Sequence, residues 1–148
     1  MTSGCSNYCR RCNEWALPKV RSHFSEDAVK TILKNLTASG NMDLALYGAS
    51  DPLDWEDTAT DPAAAGPATT DLSHILSGLE TQPAFSLLTK IPRGKEGLLK
   101  TLIEMGIHLS VSLTDRNRSR IAALEAQTNQ SISKQHASKD LLIPAGLD

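Results

Sequence analysis

Segments with helical and strand-like apolar spacing alternate along this chain of 148 residues, and that alternation constrains the fold most. Four segments of about ten residues carry apolar side chains at helical spacing, and a short apolar run typical of a strand follows each of them. The helical segments begin near Ser25, Asp71, Pro92 and Asp115, and strands are predicted at residues 44–47, 85–89, 107–113 and 141–143. This order predicts an α/β fold with about four parallel strands and helical crossovers, flat or rolled into a barrel wall.

Two stretches lack such spacing. Residues 50–70 are rich in Asp, Ala, Pro, Gly and Thr, and we expect a long flexible loop there. Residues 127–139 are polar, and we expect them to be irregular. The composition, with 40% apolar and 22% charged residues, otherwise describes one globular domain over residues 1–148.

Charge and hydropathy exclude several classes of protein. Fifteen basic and 17 acidic residues give a net charge of -2 without any block of like charges, so nucleic acid is not indicated as a partner. Apolar runs stay well short of the roughly 18 residues of a membrane span. The first residues also lack a basic region followed by an apolar one, which a secretion signal would require. We therefore expect no membrane partner and a cytoplasmic location.

The three cysteines of the chain, Cys5, Cys9 and Cys12, lie within eight residues of one another. An odd, clustered set is unlike a disulfide framework, and neighbouring thiolates in a reducing compartment favour a soft metal. A structural zinc ion needs a fourth protein ligand, for which His23 is the nearest histidine. An iron-sulfur cube held by three cysteines keeps one iron open for an exogenous molecule. Unliganded thiols are the third possibility.

The segment Cys5-Ser6-Asn7-Tyr8-Cys9-Arg10-Arg11-Cys12 resembles the signature of the radical S-adenosylmethionine superfamily. The resemblance implies that residues 1–24 form a cluster-binding loop whose three cysteines hold a 4Fe-4S cluster, with S-adenosylmethionine on the fourth iron. It also implies a reductant such as flavodoxin or ferredoxin, and a 5'-deoxyadenosyl radical that abstracts hydrogen from a substrate that the sequence does not identify. Arg11 stands where the superfamily usually has an aromatic residue.

The same resemblance implies a fold and an enzymatic activity. The expected architecture is a partial (β/α) barrel of the radical S-adenosylmethionine type. A full core of that superfamily has six strands, and only four residues precede Cys5, so we expect this chain to hold an incomplete core. The alternative is a non-catalytic zinc-binding or interaction module that uses Cys5, Cys9, Cys12 and His23. One zinc ion per chain and no chromophore would distinguish it.

The strand at residues 107–113 alternates between polar and apolar side chains. His108, Ser110 and Ser112 share one face, whereas parallel strands buried on both faces are usually apolar throughout. The alternation indicates either that the polar face lines a lumen that holds a polar ligand, or that the strand lies at the edge of the sheet with one face exposed to solvent. By the resemblance, Ser110 and Ser112 contact the ribose of S-adenosylmethionine.

Two loops that follow predicted strands supply the other candidate cofactor ligands. The segment Tyr47-Gly48-Ala49-Ser50-Asp51-Pro52 resembles the superfamily's Gly-Gly-Glu-Pro turn, which implies that Gly48 and Asp51 hold the amino group of S-adenosylmethionine. Asp-Pro is equally ordinary turn chemistry.

The second of these loops opens the fourth predicted helix with three arginines, which oppose the helix dipole unless an anion lies there. By the resemblance, Arg116 or Arg118 binds the carboxylate of S-adenosylmethionine. The alternative is a solvated basic turn paired with Asp115 or Glu125. Thr89 and Lys90 also follow a predicted strand, and no residue identifies the substrate.

Overall fold

The computed structural model describes residues 1–7, 19–20, 22–46, 50–59 and 68–136. The helices of this part are α1 (Glu26–Ala38), α2 (Leu72–Ser77), α3 (Glu96–Glu104) and α4 (Arg118–Thr128). The strands are β1 (Thr2–Ser3), β2 (Ser22–His23), β3 (Asp43–Leu46), β4 (Glu56–Ala59), β5 (Ala68–Asp71), β6 (Ala84–Thr89), β7 (His108–Leu113) and β8 (Ser133–His136). A 3-10 turn, Pro52–Asp54, lies between β3 and β4.

A four-stranded, all-parallel sheet forms the centre of the fold, in the order β3-β6-β7-β8. Each strand therefore pairs with the one that follows it through a helical crossover. Because such crossovers are almost always right-handed, successive neighbours keep their helices on one face of the sheet. Contacts of α1 with α2, α2 with α3 and α3 with α4 agree with one helical layer. The predicted α/β fold with a parallel sheet is confirmed.

The core lies between this helical layer and one face of the sheet. Buried and less buried residues alternate along β6 and β7, as expected for strands that bury one face more deeply than the other. The helices contribute fully buried leucines and isoleucines, among them Ile75, Leu99, Leu102 and Ile121, and Trp55 of the β3–β4 connection is also fully buried. Close packing of such side chains is the main source of stability in a domain of this size.

Local sequence signals explain where the helices begin and end. The hydroxyl of Ser25 caps α1 by accepting a hydrogen bond from the Ala28 N–H at 3.3 Å, and Asp71 caps α2 in the same way. Gly106 follows α3 with a φ of +77°, a conformation that favours glycine. None of the described helices has the length and apolar character that a membrane crossing requires.

The structure corrects the expectation of a long loop over residues 50–70. Strands β4 and β5 form an antiparallel ladder in which Asp57 pairs with Thr70 and Thr58 with Thr69. Threonine favours strands because its branched side chain packs well on a pleated surface. The many Asp, Ala, Pro and Gly residues around these threonines nevertheless gave the stretch the composition of a loop. Asp57 also accepts a hydrogen bond from the Glu26 N–H at 2.6 Å, which joins the ladder to α1. Residues 60–67 lie outside the described residues.

The fourth strand of the parallel sheet is not where it was predicted. Residues 133–136, within the stretch expected to be irregular, form β8, whereas the predicted strand at 141–143 lies outside the described residues. The described side chains of β8, Ser133, Lys134 and Gln135, are exposed and polar, so the strand carries no apolar pattern. A charged, polar strand on the edge of a sheet is a common protection against pairing with other chains.

Candidate functional site

The segment that carries Cys5 begins in a short antiparallel ladder. Thr2 of β1 pairs with His23 of β2 and Ser3 pairs with Ser22. The Lys19 N–H then donates to the Cys5 carbonyl at 3.1 Å, so the chain closes on itself on both sides of residues 8–18. Those residues, which include Cys9 and Cys12, lie outside the described part of the chain.

Asp54 fixes the residue that follows Cys5. Its carboxylate accepts a 2.8 Å hydrogen bond from the Ser6 N–H and a 2.5 Å hydrogen bond from the Ser6 hydroxyl. Asp54 is only 5% exposed and belongs to the 3-10 turn that follows β3. A buried carboxylate is stable only when it is well bonded, and Ser6 supplies two of the donors. The cysteine segment is therefore attached to the connection after the first strand of the sheet.

Asp51 joins the cysteine segment to the end of the neighbouring strand β6. Its carboxylate accepts hydrogen bonds from the Asn7 side-chain amide at 2.7 Å and from the Lys90 N–H at 2.9 Å. The Thr89 hydroxyl lies 2.8 and 2.9 Å from its two oxygens, and the Leu53 N–H donates at 3.1 Å. Burial raises the pKa of Asp51 even though these donors act in the opposite direction. Protein groups thus occupy most of the acceptor positions of this carboxylate.

The thiol of Cys5 is half-buried beside these two carboxylates. Burial raises its pKa, as do the negative charges of Asp54 and Asp51, whereas a hydrogen bond from the Asn7 backbone lowers it. The Asn7 side-chain amide also lies 3.5 Å from the Cys5 sulfur. A thiol in such surroundings favours its protonated form.

A strained backbone residue follows β6 at this edge of the sheet. Ile91 has a φ of +59°, which is unusual for a β-branched side chain. Its N–H donates to the Thr89 hydroxyl at 2.9 Å, and its carbonyl accepts from Arg120 at 2.7 Å. Such strain persists only where surrounding contacts fix the conformation, and it is concentrated at functional sites.

Asn117 extends the polar network from β6 to β7. Its side-chain amide donates to the carbonyls of Lys90 and Ser112 at 3.0 and 2.9 Å, and its carbonyl oxygen accepts from the Thr114 N–H at 2.8 Å. Asn117 is 1% exposed. A continuous set of hydrogen bonds therefore runs from the cysteine segment, through Asp51 and the end of β6, to the end of β7.

Ser110 and Ser112 are half-buried on β7 and alternate along it with the buried residues Leu109 and Val111. The predicted alternation is confirmed. The edge-strand explanation for it is wrong, because β7 pairs with β6 on one side and with β8 on the other. Polar side chains on a central strand need another explanation, and the lumen for a polar ligand stays a prediction.

The three arginines at the start of α4 have different surroundings. Arg120 is held by Glu96 at 2.6 Å and by the Ile91 and Pro92 carbonyls, so its role is structural. Arg118 is exposed and its guanidinium lies 3.8 Å from Asp115, one of the two partners that the solvated-turn alternative named. Arg116 is exposed.

The remaining candidate ligands are divided between described and undescribed parts of the chain. Gly48 lies in residues 47–49, which the structure does not describe. The imidazole of His23 forms a 3.0 Å hydrogen bond with the Thr2 hydroxyl. In the ranges given above, no group of three or more His, Cys, Asp and Glu side chains is arranged to hold a metal ion. Because Cys9 and Cys12 are outside those ranges, the triplet stays a prediction.

Sequence reasoning missed four residues of this network: Ser6, Asn7, Asp54 and Asn117. Two of them stand between the first two cysteines, where only the cysteine spacing was considered. The pair Asp51 and Asp54 carried a usable signal, since two acidic residues three positions apart around a proline are typical of a tight helical turn. Asn117 had no signal in the sequence, because its side chain bonds to backbone groups, which every residue carries, and one of them, the Lys90 carbonyl, is 27 positions away.

Comparison of the chain with protein-family models, curated proteins and solved structures finds no match.

Proposed function

We propose that this chain is the core, or part of the core, of a radical S-adenosylmethionine enzyme whose 4Fe-4S cluster is held by Cys5, Cys9 and Cys12. One observation carries the proposal. The first cysteine of the Cys-x3-Cys-x2-Cys segment lies at the carboxyl edge of a parallel sheet, because the next two residues, Ser6 and Asn7, donate hydrogen bonds to Asp54 and Asp51 there. Ligands of parallel α/β folds bind in the loops at that edge.

Among the described residues, the surroundings of Cys5 support a role for its thiol as a metal ligand. Cys5 is free and half-buried, and its neighbours are themselves fixed by buried carboxylates, so the sulfur has a defined position. A cluster ligand must be a thiolate, and binding of a cationic metal offsets the burial and the negative charges that raise the pKa of Cys5.

The chain's own residues then bind the organic cofactor and exclude water. Ser110 and Ser112, on the less buried face of β7, are the proposed ribose contacts. Arg116, in the connection after β7, or Arg118, the first residue of α4, is the proposed partner of the cofactor's carboxylate. Asp51, whose oxygens are bonded by the protein, would shape the loop after β3 and leave its backbone and Gly48 to contact the amino group. When bound, the cluster would supply the electron that cleaves S-adenosylmethionine to the 5'-deoxyadenosyl radical.

Anaerobic reconstitution with iron and sulfide tests the proposal. We expect about four iron and four sulfide ions per chain and a broad absorbance near 400 nm, roughly as for other clusters of this type. The variants Cys5→Ala, Cys9→Ala and Cys12→Ala should each lose most of that absorbance. With dithionite and S-adenosylmethionine, the reconstituted protein should also release 5'-deoxyadenosine.

The matched control is Ser39→Ala, which removes an exposed hydroxyl near the end of α1, away from the cysteine segment. Reconstitution of this variant should equal that of the unchanged protein. A colourless protein with one zinc ion per chain would contradict the proposal and favour the zinc-binding module.

A further inference from the structure

The side-chain amide of Asn7 lies between the Cys5 sulfur and a fixed carboxylate. Its nitrogen is 3.5 Å from the sulfur and 2.7 Å from an oxygen of Asp51. One amide nitrogen carries two hydrogens, so it can donate to both groups at once. The residue stands between Cys5 and Cys9, and the cysteine spacing alone gives it no role.

Asp51 determines which way this amide points. The carboxylate is 4% exposed and is itself held by Thr89 and by the backbone of Lys90. Because Asp51 accepts one hydrogen of the Asn7 side-chain amide, the second hydrogen points away from Asp51. The Cys5 sulfur is within hydrogen-bond distance of the amide nitrogen and can accept that second hydrogen. The arrangement is therefore a donor that is oriented in advance toward the sulfur.

We infer that Asn7 is a positioning residue that raises the reduction potential of the cluster by donating a hydrogen bond to the Cys5 thiolate, an inference that rests on the proposed function. A reduced cluster carries one more negative charge than the oxidised cluster. An N–H dipole directed at a ligand sulfur stabilises that extra charge, and such hydrogen bonds are among the factors that set cluster potentials. Asp51 and Asp54 act in the opposite sense, so Asn7 offsets part of their effect.

The test is a redox titration of the reconstituted protein with mediators and dithionite, followed by electron paramagnetic resonance. In Asn7→Ala the midpoint potential should become more negative, so that at a fixed potential the ratio of reduced to oxidised cluster falls about fivefold, the effect of one net hydrogen bond. The matched control is Ser6→Ala, which loses the hydroxyl contact to Asp54 in the same loop but has no contact with the sulfur. Its potential should shift far less than that of Asn7→Ala, because the lost hydroxyl bonds to Asp54 and not to the sulfur.

The other outcomes of the titration also decide for or against the inference. An unchanged potential in Asn7→Ala would overturn it, and so would equal shifts in both variants, because the loop's anchoring would then set the potential. Should Asn7→Ala fail to take up iron, the titration is made on Asn7→Ser, where a shift in the same direction supports the inference and no shift overturns it. Loss of iron uptake in both Asn7 variants, with normal uptake in Ser6→Ala, would replace the inference with a purely structural role. Absence of a cluster from the unchanged protein would instead refute the proposed function.

Discussion

The helix-facing core and the carboxyl edge of the sheet are both buried, but different interactions hold them together. In the core, leucine and isoleucine side chains of the helices pack on the buried face of the strands, and the contacts depend on volume and shape. At the carboxyl edge, Asp51, Asp54, Thr89 and Asn117 are at most 5% exposed, and each is bonded to named donors and acceptors. In the described residues, no buried side-chain nitrogen or oxygen lacks a partner.

This difference predicts two different responses to substitutions that preserve shape. Apolar cores tolerate exchanges of similar volume, since any side chain that fills the space recovers most of the contacts. A saturated polar network tolerates them poorly, because an exchange of one oxygen for a nitrogen turns an acceptor into a donor. Isosteric changes in the two regions should therefore differ in their cost.

The largest effect is expected for Asp51→Asn. The new amide would face the donors that now bond to the carboxylate, whichever way it turns, and we expect a loss of about 3 kcal/mol in the free energy of unfolding. Urea denaturation measures this loss. Asp115→Asn, the same change at a fully exposed side chain, should cost under about 0.5 kcal/mol. Equal effects at the two positions would remove the distinction between network and surface.

Asn117→Asp should have the next largest effect. A carboxylate oxygen would replace the amide nitrogen that now donates to the Lys90 and Ser112 carbonyls, and we expect a loss of about 2 kcal/mol. Asn35→Asp on the exposed side of α1 is the control, with an expected loss under about 1 kcal/mol. If Asn117→Asp costs no more than the control, the ends of β6 and β7 do not depend on the hydrogen bonds of the Asn117 side chain.

Leu99→Met in the core should cost about 1 kcal/mol or less, although Leu99 is fully buried. Methionine has a similar volume and adapts to irregular space. The same urea denaturation gives the value. A loss larger than that of Asp51→Asn would reverse the comparison, since shape would then matter more in the core than bonding does at the edge.

The smallest effect concerns an ion pair that fixes β8. Glu125 accepts hydrogen bonds from Lys134 and from the Ile132 N–H, and these lower its pKa from the ordinary value of 4.5. A lowered pKa in the folded state stabilises the protein above the unfolded-state value, and that stabilisation is lost as the pH falls through the folded-state value. Glu125→Gln should therefore cost under about 1 kcal/mol at pH 7.

The cost of Glu125→Gln should be the same at roughly pH 5.5 and should shrink only below about pH 4.5. Unfolding experiments on both proteins across this range measure it. A cost that is independent of pH throughout would show that the carboxylate charge does not stabilise β8.

The parallel sheet was predictable from the sequence, whereas the polar network was not. Apolar periodicity marks α3 and β7 because their side chains face a common core, and caps such as Ser25 act within a few residues. Strand β8 was missed because pairing with β7 depends on its backbone and not on its polar side chains. The contacts of Ser6 with Asp54 and of Asn7 with Asp51 join residues more than 40 positions apart, and local patterns carry no record of such pairs. The cysteine spacing predicts a chemistry, whereas the fold shows that Asp54 and Asp51 hold the two residues that follow Cys5.

The measurement that tests the central claim most directly is electron paramagnetic resonance of the reconstituted, dithionite-reduced protein with and without S-adenosylmethionine. If Cys5, Cys9 and Cys12 leave one iron open at the carboxyl edge, the added compound should change the spectrum of the cluster, and S-adenosylhomocysteine should not reproduce the full change. A cluster spectrum that S-adenosylmethionine leaves unaltered would contradict the account, because the open iron would then not be a cofactor site.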